Sequence, residues 1–152
     1  MKLRRSIDGV WGLLSASTSE KAQLILAGVF LISLPPALTV FSMSAIRRVM
    51  LKTCYRLSDR IPGSPTPVEL ASLVESADWY LPGSRTCLVR SLTAETLLRL
   101  YGYSPVHQIG VKKDTTDELE AHSWIEYEDD ILLGDLEDLS AYSRLPPLDR
   151  GD

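Results

Sequence analysis

From Ala22 to Ile46 the chain carries no Asp, Glu, Lys or Arg, a run of 25 residues broken near its middle by Pro35-Pro36. Nothing else in the sequence restricts the fold as strongly. An apolar stretch of roughly 18–20 residues is enough to cross a bilayer as a helix. Consecutive prolines, however, remove two amide donors and bias the preceding Leu34 away from helix. The pattern therefore predicts two helices, over about residues 21–34 and 36–57, each with too little continuous apolar length to span a membrane comfortably. They would form a hydrophobic helical hairpin packed on the rest of the chain or on a partner, with membrane contact through 22–46 as the alternative. Cys54, set among apolar neighbours in the second helix, reads as a small buried hydrophobe.

Charge is distributed unevenly. Residues 1–60 hold nine Lys/Arg against three Asp/Glu, a net of +6; the remainder holds seven against seventeen, a net of −10. A basic front half suits an acidic partner or anionic lipid, or simply solvated helix faces. Nucleic acid is not an expected partner, because no basic patch interleaved with aromatics occurs. Two cysteines make no disulfide framework, and residues 1–20 lack the apolar core and cleavage site of a signal peptide. The expected setting is cytoplasmic and reducing, with membrane association as a variant of it.

Helix signals recur along the chain. Ile7, Val10, Trp11 and Leu14 share a helical face. Ser17 and Glu20 have capping-box spacing. Arg60 to Thr66 is linker-like by composition, and Thr66-Pro67-Val68-Glu69 stacks a cap, a first-position proline and a third-position glutamate. The apolar stripe of that helix is expected at Val68, Ala71, Val74 (or Leu73) and Ala77. Thr86 caps the next helix, which places Cys87 at its first position. Val89, Leu92, Thr93, Thr96, Leu97 and Leu100 form its inward stripe, and Gly102 ends it. Strands follow over 106–111, 121–127 and 131–133, the last two joined by a tight polar turn as an antiparallel hairpin. The organisation is thus a helical region 1–60, a linker 61–65, a core 66–142 and an extended or frayed tail 143–152.

Within the core three side chains suit nucleophilic catalysis. Cys87 lies in the first turn of a helix, off its apolar stripe, where a thiolate is stabilised by the helix N-terminus. His122 shares a strand face with Trp124 and Glu126, and would take the thiol proton and return it to a leaving amine. Asp135 ends the next strand, from which it would fold back and orient the imidazole. Glu126, Asp129, Asp130 and Asp138 are competing carboxylates. His107 reads as a strand residue with no catalytic role. The oxyanion would be held by the Cys87 amide and a second donor, with Trp79, Ser84 and Arg85 as candidates and Trp124 in support. No metal or other cofactor is expected, since Cys54, Cys87, His107 and His122 offer no short-range ligand pair.

The blocks C-L-V-R-S-L-T-A-E-T-L-L-R-L-Y-G-Y, I-G-V-K-K, A-H-S-W-I-E and L-L-G-D together resemble the leader peptidases of lasso-peptide biosynthesis, within the transglutaminase-like cysteine peptidase superfamily. The likeness covers roughly residues 68–138. It implies an α+β, papain- or transglutaminase-like core, with a Cys-bearing helix on a small antiparallel sheet bearing His and Asp, behind an N-terminal hydrophobic helical hairpin. It also implies cleavage of a leader from a ribosomally made precursor peptide, with Cys87 as nucleophile, His122 as base and Asp135 as acid. A separate ATP-dependent macrolactam cyclase would act next. Because residues 1–65 show no strand pattern, a separate leader-binding protein is an expected partner. A non-catalytic precursor-binding scaffold and an acyltransferase of transglutaminase type are the alternatives.

Overall fold

The computed structural model describes residues 17–146; the helix expected over 6–16 and the last six residues lie outside that range. The helices are α1 (Thr18–Val40), α2 (Met43–Leu57), α3 (Pro67–Tyr80) and α4 (Cys87–Leu100), and the strands β1 (Val106–Lys113), β2 (Leu119–Tyr127), β3 (Asp130–Leu133) and β4 (Ser143–Arg144). The sheet is antiparallel in the order β3-β2-β1-β4. α4 is the centre of the molecule: every residue from Ser91 to Leu98 is buried.

Capping behaves as the sequence predicts. Ser17 with Glu20 and Thr66 with Glu69 form complete capping boxes, and Pro67 opens α3. Thr86 Oγ1 accepts the Val89 amide at 3.3 Å, so Cys87 is the first residue of α4. Gly102, at φ +83°, takes the left-handed conformation that ends α4. Glu128 and Asp129 both have positive φ, the geometry of a two-residue hairpin turn between β2 and β3.

Three expectations are corrected. The apolar run does not break at Pro35-Pro36; α1 passes through both prolines, and the chain turns at Phe41-Ser42 instead. Proline holds φ near the helical value, and the lost bonds to the Leu31 and Ile32 carbonyls are outweighed by burying Ala27, Leu31 and Leu34 in the core. The turn falls where Ser42 can cap α2, its Oγ accepting the Ala45 amide at 3.3 Å. A 23-residue α1 is also long and apolar enough to cross a membrane, contrary to the length argument made from two shorter helices. In α3, Leu70 rather than Val68 joins the buried stripe, and Val68 is exposed. The C-terminal segment takes the extended form of the two expected for it where it is described: β4 pairs with β1, and the Leu145 amide donates to the Ile109 carbonyl at 2.9 Å.

One polar network ties the elements together. Glu95, on α4 and almost fully buried, receives Arg47 of α2 through Nε (3.0 Å) and Nη2 (2.8 Å), Arg99 at 3.0 Å, and His107 Nδ1 of β1 at 2.9 Å. The other nitrogen of His107 faces Ser123 Oγ of β2 at 2.7 Å. Burial alone would raise the Glu95 carboxyl; the hydrogen bonds from His107 and Arg47 prevail and hold it down at about 2.

Candidate active site

Cys87 is partly exposed and unpaired, at the head of α4. The loop that delivers it is held by Arg85. Its guanidinium pairs with the Asp78 carboxylate and donates to the carbonyls of Asp78 (3.2 Å), Leu81 (3.0 Å), Pro82 (3.1 Å) and Gly83 (2.9 Å). Asp78 lies in the last turn of α3, where carbonyls have no partner within the helix. Arg85 therefore closes α3 and fixes the approach to Cys87 in one step. At the first helical position the Cys87 amide has no intrahelical acceptor, the state an oxyanion donor requires. Trp79 is 57% exposed and packs edge-on against Tyr80.

β2 carries two different faces. Ser123 and Ile125 point into the core, Ser123 through His107 and Glu95 and Ile125 through the apolar cluster it shares with α4. His122 and Trp124 occupy the other face, with their rings nearly parallel and their centroids 6.0 Å apart. Trp124 is fully buried, donates from Nε1 to Glu126 Oε1 at 2.8 Å, and packs its ring closely against Gly110. A Cβ at Gly110 would come within 2.9 Å of the indole, so only glycine admits the ring there. Tyr142 meets His122 from the side with centroids 5.6 Å apart, and its hydroxyl donates to Glu120 at 2.7 Å.

The contact that sets the imidazole is with backbone. His122 Nε2 lies 2.7 Å from the Gly134 carbonyl oxygen, which only accepts, so Nε2 carries a proton and Nδ1 is the basic nitrogen of the neutral ring. Gly134 is confined by its φ of +87° and by a Cβ position 2.8 Å from Trp124 Cβ and 2.9 Å from the Ser123 carbonyl oxygen. Gly134→Ala is expected to destabilise the fold by about 1–3 kcal/mol and to displace that carbonyl. Urea unfolding and the imidazole proton shifts of His122 report the two effects separately.

Asp135 follows directly and is exposed. Among the described residues no hydrogen bond or ion pair joins Cys87, His122 and Asp135 to one another. Of the competing carboxylates, Asp138 is bound to Lys112, which holds its carboxyl below the usual range, and Glu126 accepts from Trp124 and Arg144. The Gly134 carbonyl, the Tyr142 ring and the Glu95–His107–Ser123 chain were given no role by the sequence, although Gly134, Ser123 and Glu95 fall within the blocks quoted above. Only the adjacency of Gly134 to Asp135 and of Ser123 to His122 pointed near them.

A buried helix headed by cysteine, packed on an antiparallel sheet that carries a tautomerically fixed histidine, defines an α+β fold of papain-like type. The model of the transglutaminase-like superfamily matches residues 28–146, and the chain belongs to that superfamily. No curated protein and no solved structure matches it. Membership of this superfamily points to cysteine peptidase or acyltransferase activity.

Proposed function

We propose that this protein is a cysteine peptidase that removes the leader from a ribosomally synthesised lasso precursor peptide. It would act with a separate leader-binding protein and an ATP-dependent macrolactam cyclase. Cys87 attacks the scissile carbonyl, His122 takes the thiol proton on Nδ1 and passes it to the departing amine, and water then releases the thioester. Asp135 is assigned the orienting role beside the Gly134 carbonyl. The observation that carries the reading is the His122–Gly134 hydrogen bond, because it leaves Nδ1 as the proton acceptor a thiol nucleophile needs. The restriction to lasso precursors rests on the sequence blocks between Cys87 and Asp135.

The direct test is incubation with a precursor peptide, with and without a leader-binding partner, read by mass spectrometry. A leader fragment ending in a free carboxylate supports the peptidase, and an amide adduct supports acyl transfer to an amine. An intact peptide in the presence of the partner leaves a binding scaffold.

Alkylation probes the pair itself. Burial pushes the Cys54 thiol up to about 11, so Cys54 stays unreactive to iodoacetamide near neutral pH. Cys87 is expected to alkylate much faster, and His122→Asn to slow it. Equal rates at Cys87 with and without the imidazole would separate the two residues chemically.

A further inference from the structure

The α1–α2 hairpin leaves a continuous apolar surface uncovered. While Ala27, Leu31 and Leu34 enter the core, the opposite side of α1 presents Ile25 (67% exposed), Val29, Ile32 and Pro36, spaced at three and four residues. It ends at an exposed tip, Val40 and Phe41, 73% and 61% accessible. Behind the tip an apolar groove of about 330 Å³ runs between the two helices, with Leu34, Ile46, Val49 and Met50 among its walls. Single exposed apolar residues are ordinary; a stripe, a tip and a groove in one place mark a docking surface.

Charge identifies what docks. No Asp or Glu occurs between Lys21 and Ser58. Exposed Lys52 and Arg56 follow Val49 by three and seven residues, on the groove side of α2 and roughly 17 and 23 Å from Phe41 at about 1.5 Å per residue. Apolar groups foremost and cations one step behind is the order that suits the acyl boundary and the phosphates of a bilayer. A symmetric pair of chains joined through this surface would instead bring two basic rims together. Crossing the membrane is a different matter, since it would pull Leu31 and Leu34 from the core and break the Gln23–Tyr101 hydrogen bond at 2.9 Å.

We propose that the tip of the α1–α2 hairpin docks this protein on an anionic bilayer surface, with Val40, Phe41 and the α1 stripe in the interface and Lys52 and Arg56 against lipid phosphates. The full chain is expected to sediment with phosphatidylcholine–phosphatidylserine vesicles, weakly with phosphatidylcholine alone, and to be released by salt. Lys52→Gln/Arg56→Gln should weaken binding by about fivefold per charge, and Val40→Ser/Phe41→Ser by roughly tenfold or more. All four positions are exposed, so circular dichroism should be unchanged. A wild-type chain that stays in the supernatant with phosphatidylserine present overturns the proposal, as do two double variants that bind like wild type. If light scattering shows a dimer that Val40→Ser/Phe41→Ser returns to monomer without vesicle binding, the surface joins two copies and the lipid assignment is wrong.

Discussion

Cys87→Ala is expected to abolish precursor cleavage, by about 10⁴-fold or more, while the protein folds and binds its partners as before. The thiol has no hydrogen-bond partner among the described residues and is only partly buried, so removing one sulfur should change stability by about 0.5 kcal/mol or less. The contrast between lost turnover and retained fold distinguishes a nucleophile from a structural residue. Cleavage that persists in this variant, under conditions where the wild type is active, would refute the catalytic assignment outright. His122→Asn should give a loss of similar size, and it removes the basic nitrogen that the Gly134 carbonyl leaves available.

The largest effect on stability is expected at Glu95, a residue that no motif singles out. Glu95→Ala removes the buried carboxylate that accepts from the Arg47 guanidinium and from His107 Nδ1, a loss of about 3–5 kcal/mol. That is a large part of the roughly 5–15 kcal/mol by which domains of this size are stable. Urea unfolding measures it; a loss under about 1 kcal/mol would mean the network does not hold the hairpin to the core. The pH dependence has a definite sign. Glu95 ionises at about 2 in the folded chain against an ordinary 4.5, so its contribution is complete above 4.5 and fades as pH falls toward 2. Glu95→Gln should flatten the acid limb of the stability profile between those values.

Local signals were legible throughout. Ser17, Thr66 and Thr86 cap helices because a short side-chain oxygen reaches the amide three residues on, whatever the surroundings. Gly102 ends α4 for an equally local reason. The helix-on-sheet class, the hairpin carrying His122 and the burial of Cys54 followed from patterns within a few residues.

Propensity misled where burial opposed it. Pro35 and Pro36 argue for a helix end, yet α1 continues because Leu31 and Leu34 gain more from the core than the helix loses at two amides. His107 illustrates the other limit. No carboxylate lies near it in sequence, but Glu95, twelve residues earlier, comes within 2.9 Å of its ring because α4 packs on β1.

Alone, the order of residues determined where helices begin, that β2 and β3 form a hairpin, and that a thiol sits at a helix mouth. These depend on interactions over three or four positions. Only the tertiary structure decided that α1 runs unbroken, that the Gly134 carbonyl meets the imidazole, and that the network around Glu95 joins α2, α4, β1 and, through His107, β2. Each of those is settled by groups far apart in the chain, whose contacts exist only once the core has closed around them.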